Sequence, residues 1–209
     1  MCGRFAIIQT IEQLAKFYQV QAINVQFNGS YNVCPTELAP IILENEKNER
    51  EIRLAHFGIP MVIGEKKFPL LNLQSEKAGN REDFKKRRCI IPASGFFEWE
   101  KVTPKEKQPY YFPPTENFFS FAGVWKQGTN GNSFTIFTTS ANELVQPIHS
   151  RMPVILGHNA IGQWLATDSD TKTLAELLQP YPANLMQAWK VSKAVNSPKN
   201  KDALCINSL

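Results

Sequence analysis

Cys89-Ile90-Ile91-Pro92-Ala93-Ser94-Gly95-Phe96-Phe97-Glu98-Trp99-Glu100 is the stretch that decides the fold class. Two short runs of β-branched and aromatic residues, 89–92 and 95–100, flank a Pro/Ser/Gly bend. Each run is too short for a stable helix and carries strand-forming residues, so the segment reads as two strands around a corner. The same grammar recurs on both sides. Ala39–Leu43 and Ile52–Phe57 read as strands joined by the charged turn 44–48. Phe118–Trp125 and Phe134–Thr139 read as an antiparallel pair across the Gly/Asn-rich turn 128–132. Pro153–Leu156 and Met186–Ser192 add two further strands. Helices are fewer and short. Thr10 precedes Ile11–Tyr18 with Gln13 at the capping-box position. Others are expected at Glu82–Arg88, from Ser140 to Pro147, at Ala160–Ala166 and at Thr171–Gln179, while Met61 to Asn80 lacks strong periodicity. Many short strands with few helices predict an α+β fold of curved, mostly antiparallel, barrel-like sheet with peripheral helices.

The 209 residues suffice for one substantial core, and a single domain over 1–209 is expected. A 43% hydrophobic and 20% charged composition is that of a globular chain rather than a disordered one. No apolar run reaches membrane-span length, and the N-terminus lacks a basic segment followed by an apolar stretch. Cys2, Cys34, Cys89 and Cys205 are scattered without CxxC spacing, which argues against a zinc site or a disulfide framework and fits a reducing cytoplasm. A net charge of +4 is weak support for a polyanionic partner. Nothing indicates an oligomer, and a monomer is expected.

The N-terminal segment Met1-Cys2-Gly3-Arg4-Phe5 carries the most reactive potential. A small second residue permits removal of Met1, which would leave Cys2 with an α-amine of pKa about 7.7–8.0 beside a thiol of about 8.5. An aldehyde meeting that pair forms an imine with the amine, and the thiol closes a thiazolidine ring intramolecularly. Read alone, Cys2 is more readily an ordinary small residue after the start than a nucleophile. Asn72, within the apolar stretch 68–73, either donates to a substrate oxygen or braces a loop. Glu98, between Phe97 and Trp99, suits acid/base work if buried, although strand alternation by itself turns it to solvent. His149 lies in the turn Pro147-Ile148-His149-Ser150-Arg151-Met152-Pro153 and exchanges protons near neutral pH. Lys85-Lys86-Arg87-Arg88 reads either as a phosphate-holding cluster or as a solvated helix face. Basic residues interleaved with Phe57, Met61, Phe68 and Trp99 suit a strand-tracking groove with platforms for bases.

Seven segments in order resemble the SRAP (SOS-response-associated peptidase) family of abasic-site processing proteins. They are Met1–Phe5, Tyr31-Asn32-Val33-Cys34-Pro35-Thr36, Phe57-Gly58-Ile59-Pro60, Asn72-Leu73-Gln74-Ser75-Glu76, Cys89–Trp99, His149–Pro153 and Val191–Pro198. The resemblance implies an SRAP-like α+β fold and a covalent DNA-damage function. The ring-opened sugar at an abasic site in single-stranded DNA would become a thiazolidine crosslink to Cys2, and the chain would remove its own Met1. It implies Cys2, Asn72, Glu98 and His149 as catalytic residues. Asn72 would hold the sugar oxygen or the amine, Glu98 would shuttle protons, and His149 would assist ring opening. Arg4, Arg151, Asn32, Pro35 and Asn196 are implied as DNA-binding or pocket-shaping residues, with no metal and no organic cofactor. Three positions depart from the family pattern: Gln74 for an Arg, Phe57 for a Trp and Cys34 for an Ala. Gln74 weakens an expected phosphate contact. Two other readings are a cysteine peptidase acting on other proteins, and a single-stranded-DNA-binding module without chemistry.

Overall fold

A computed structural model describes residues 2–20, 25–79 and 81–209. Fourteen strands and four helices of those residues run β1 (Phe5–Ile7), α1 (Ile11–Tyr18), β2 (Ser30–Val33), β3 (Leu38–Glu44), β4 (Arg50–Phe57), β5 (Ile59–Ile63), β6 (Lys66–Leu70), β7 (Asn72–Gln74), α2 (Glu82–Lys86), β8 (Arg88–Ala93), β9 (Gly95–Lys101), β10 (Lys107–Phe112), β11 (Phe119–Gly128), β12 (Gly131–Ser140), β13 (Arg151–Pro153), α3 (Ile161–Leu165), α4 (Thr171–Glu176) and β14 (Trp189–Lys190). Short 3-10 turns connect several of them.

Strands β11, β8, β3, β4 and β12 pair in that order, and the β11–β12 hairpin closes the circuit into a five-stranded barrel. All of its pairings are antiparallel except β4–β12, where Ser133 faces His56 and Phe134 faces Phe57 in parallel register. A second antiparallel sheet, ordered β14-β10-β9-β1-β2, packs against it. The expected α+β barrel-like architecture is therefore present. Period-two alternation sorts the barrel side chains. One face carries Ile41, Ala55, Phe57, Cys89, Ile91, Phe121, Phe134 and Ile136, which pack with Phe5, Phe96 and Phe112 of the second sheet. The other face presents Ile42, Ile52, Ile90, Ala122, Val124 and Phe137 to Leu14, Tyr18, Phe84, Trp164 and Leu174 of the helices. Phe5 meets Phe57 edge-on at a centroid distance of 5.2 Å. Each such buried ring contributes roughly 1.5–3 kcal/mol relative to an exposed one. At Gly123 a Cβ would stand 2.4 Å from Ile91 Cδ1 and 2.6 Å from the Thr135 carbonyl oxygen, so the close barrel packing there requires glycine.

The 89–100 segment is the corner between the two sheets: β8 belongs to the barrel and β9 to the second sheet, with Ser94 between them. The capping box at Thr10 and Gln13 forms as expected. Four expectations change. Ser140 ends β12 and caps no helix. Residues 143–148 are turns organised by Asn142, whose Oδ1 accepts from the amides of Leu144 and Val145 at 3.2 and 3.0 Å. The strand expected at Pro153–Leu156 lies earlier, at Arg151–Pro153, because from Val154 onward the backbone passes to β11, where its carbonyl accepts from the Ala122 amide, the Leu156 amide donates to the Ser120 carbonyl and Ile155 forms an isolated bridge to Phe121. The segment 61–80 is not one irregular loop: β5 and β6 form a hairpin and β7 follows, while Asn80 lies outside the described residues. The last strand shortens to Trp189–Lys190. Among the described residues no helix is long and apolar enough to cross a membrane.

Candidate active site

Cys2 enters the core immediately before β1 and is fully buried. Its carbonyl accepts a 3.0 Å hydrogen bond from Asn72 Nδ2, and its thiol donates weakly to the Arg4 carbonyl at 3.8 Å. Asn72 reaches it because β7 lies parallel to β12, with Asn72 level with Ile136. Glu98 is only 3% exposed. Alternation failed here for a structural reason. Phe96 and Glu98 share the face of β9 that meets the barrel, while Phe97 and Trp99 face the C-terminal segment. Both faces of the second sheet are covered, so Glu98 has no solvent side.

Burial raises the Glu98 pKa above the ordinary carboxylate value, and the nearby His149 opposes that rise. Burial likewise pushes the Cys2 thiol far up, and the Glu98 charge adds to the effect. The thiol is therefore neutral at physiological pH and needs a proton acceptor before it can act as a nucleophile. His149 is held by its amide, which donates to the Val145 carbonyl at 3.0 Å. The Arg151 amide donates to His149 Nδ1 at 3.0 Å, and the same nitrogen lies 3.2 Å from the Arg151 carbonyl, so the Arg151 backbone fixes the orientation of the ring. Cys2, Asn72, Glu98 and His149 thus come from four separate segments into one electrostatic neighbourhood. A buried carboxylate with a raised pKa beside an imidazole can relay protons to and from a nucleophile at Cys2.

The remaining sequence candidates are placed differently. Arg4 turns its guanidinium to Asn32 Oδ1 at 3.0 Å and to the carbonyls of Val195 and Asn196 at 2.6 and 3.4 Å. Asn32 is fully buried and donates to the carbonyls of Val195, Ser197 and Asn200. Arg151 pairs with Glu76 at 2.6 Å and donates to the Thr138 carbonyl. That bond from Arg151 brings the Glu76 carboxyl down to about 2. Pro35 sits half-buried in the turn after β2, and Asn196 is exposed, accepting from Trp99 Nε1 at 2.8 Å. Two expectations are corrected. Phe57 is wholly buried in the core and offers no platform. Arg88 is buried, with its guanidinium spent on the carbonyls of Trp164, Phe84, Lys85 and Ala166, so it holds α2 and α3 together rather than a phosphate. The clasp of residues 195–201 around Arg4 and Asn32 had no local signal, because its partners lie more than a hundred and sixty residues away along the chain.

A cleft of about 680 Å³ lies away from Cys2. It runs between the β5–β6 hairpin and the β11–β12 turn, lined by Thr36, His56, Met61, Lys67, Phe68 and Lys126 among others. Met61 and Phe68 are each 38% exposed. Among the described residues no three His, Cys, Asp or Glu side chains cluster as metal ligands.

A barrel-and-sheet fold with a buried cysteine at position 2, held by an asparagine and neighboured by a glutamate and a histidine, defines a protein with a reactive-residue cluster at its core. The chain belongs to the SRAP family, SOS response associated peptidase, whose model matches residues 1–198. It is 35% identical over 223 residues to the abasic site processing protein YoqW of Bacillus subtilis, with both chains covered completely. It is 30% identical to the abasic site processing protein YedK of Escherichia coli, with 97% of each chain covered. A crystal structure of a protein from Bacteroides thetaiotaomicron superposes with a TM-score of 0.81 over the whole of both chains at 22% identity.

Proposed function

We propose that residues 1–209 act as one SRAP unit that captures abasic sites in single-stranded DNA through Cys2. The observation that carries this reading is the convergence of Cys2, Asn72, Glu98 and His149. In a neighbourhood that buries a thiol and raises a carboxylate, the chemistry available is addition to an electrophile with local proton transfer.

The reaction begins with removal of Met1 by the chain itself, which frees the Cys2 amine; Glu98 serves as the proton shuttle for that hydrolysis. The amine then adds to the ring-opened C1 aldehyde and water leaves, giving an imine. His149 assists opening of the sugar ring. Glu98 supplies the proton on which the hydroxyl departs, and it receives the thiol proton as Sγ closes the thiazolidine. Asn72 holds the Cys2 backbone, which keeps the amine and thiol on one side of the aldehyde. The crosslink consumes the aldehyde and so protects the lesion from strand cleavage. The cleft beside the β5–β6 hairpin supports a path for the flanking strand, since Lys67 and Lys126 offer charge beside the apolar Met61 and Phe68. Relatives named for abasic site processing span the whole chain at comparable length, which supports the same substrate here.

The test mixes purified protein, with Met1 removal confirmed by intact mass, and a single-stranded oligonucleotide carrying one abasic site. A heat- and detergent-stable adduct that disappears in Cys2→Ala is expected. Absence of any adduct from the processed protein would refute the reading.

A further inference from the structure

Cys34, one of the departures from the family pattern, stands outside the site described above. Its Sγ lies 3.5 Å from Lys201 Nζ, within the range at which suitably aligned groups react. Lys201 reaches across from the C-terminal segment to both oxygens of Glu37 at 2.6 and 2.5 Å, and it donates to the Asn32 carbonyl at 2.6 Å. Glu37 in turn accepts the Cys34 amide at 2.9 Å. Thiol, amine and carboxylate are thus fixed to one another from the segment between β2 and β3 and from the C-terminal strap. Cys34 is 4% exposed, while the Lys201 and Glu37 side chains are each 36% exposed, so the cluster opens to solvent on the lysine side. Burial raises the thiol pKa and the Glu37 charge adds to the rise, while the Arg4 and Lys201 charges oppose it.

We propose that Cys34 and Lys201 form a reversible sulfur–nitrogen crosslink when the protein meets hydrogen peroxide. Peroxide first oxidises the Cys34 thiol by two electrons to a sulfenic acid, and one oxygen of the peroxide leaves as water. Lys201 passes its ammonium proton to Glu37, and the free amine attacks Sγ. The S–O bond breaks, hydroxide leaves with the proton from Glu37 as water, and the nitrogen loses one proton to solvent. The product is a sulfenamide, Cys34 Sγ–Nζ Lys201, two hydrogens lighter than the reduced chain. The bond would staple the strap of residues 195–201 to the segment that follows β2. That strap supplies the carbonyls on which Arg4 and Asn32 rest, so the staple fixes the support of the Cys2 segment.

Intact-mass measurement of the peroxide-treated chain is expected to show loss of two hydrogens, reversed by dithiothreitol. Peptide mapping should join the segment containing Cys34 to that containing Lys201. Lys201→Arg keeps a cation beside Glu37 but lacks the condensing amine. It should abolish the crosslink and leave Cys34 trappable by dimedone as the sulfenic acid. Cys205→Ser separates this bond from a disulfide of equal mass and should leave the product unchanged; this arm and the peptide map do not depend on how well Lys201→Arg folds. The proposal is overturned if the mass loss persists in Lys201→Arg. It is equally overturned if Cys205→Ser removes it with a 34–205 peptide in the parent, or if Cys34 stays reduced or proceeds to sulfinic acid without a crosslink.

Discussion

Replacing Glu98 by glutamine tests the proposed proton relay most directly. The substitution keeps volume and hydrogen-bonding capacity but removes the titratable proton. Glu98 is 3% exposed beside a thiol that burial holds in its neutral form, so closing the thiazolidine needs an acceptor inside the core. General acid–base catalysis by a positioned group contributes roughly 10²–10⁴-fold, about 2.7–5.5 kcal/mol of barrier. Adduct formation by Met1-free Glu98→Gln should therefore slow by at least roughly 10²-fold at neutral pH. The assay is quenched-flow or manual sampling of the adduct on a denaturing gel, with the oligonucleotide saturating so that binding does not enter. Stability gives a second reading with a definite sign. The folded-state pKa of Glu98 is raised, so its proton is favoured by folding. The parent's stability is greatest below about pH 4.5 with respect to this group and falls as pH rises through the raised value. Glutamine carries no such dependence, so the melting temperature of the variant relative to the parent should increase from pH 4 to pH 8. A variant that reacts within about tenfold of the parent, with a pH-independent difference in melting temperature, would refute the relay.

Four further outcomes follow from the same geometry. Asn72→Ala removes the 3.0 Å bond to the Cys2 carbonyl and should cost about 0.5–1.5 kcal/mol in urea unfolding, with a slower adduct step at saturating DNA. Glu76 has its carboxyl lowered to about 2 by Arg151, so its contribution is complete above pH 4.5 and is lost as pH falls towards 2. With the Glu76 side chain 57% exposed, solvent screening limits that contribution to about 1 kcal/mol at most, and the gap in melting temperature between the parent and Glu76→Gln should close on acidification. Gly123→Ala pushes a methyl into Ile91 and the Thr135 carbonyl and should destabilise by about 1–3 kcal/mol in equilibrium denaturation. Lys67→Ala with Lys126→Ala should weaken non-covalent binding to single strands and lower the salt slope by about 0.7 for each lost phosphate contact; an unchanged slope would remove the cleft from the DNA path.

By itself the sequence determined the strand-rich architecture, because period-two runs, turn residues and the Thr10 capping box are local signals that the chain obeys wherever packing agrees. It also marked Cys2, Asn72, Glu98 and His149, through their chemical types and their ordered motifs. The tertiary structure decided what those residues experience. Alternation along β9 could not reveal that both faces of the strand are covered, and that covering is what turns Glu98 from a surface carboxylate into a buried one with a raised pKa. Phe57 and Arg88 were legible as an aromatic and a cation, but only closure of the barrel buries Phe57 and only the docking of α3 buries Arg88 beneath the helices. The clasp of Arg4 and Asn32 by residues 195–200, and the meeting of Cys34 with Lys201, join opposite ends of the chain. Contacts at that separation leave no periodicity in the sequence, since they arise when two already formed surfaces pack and desolvate each other.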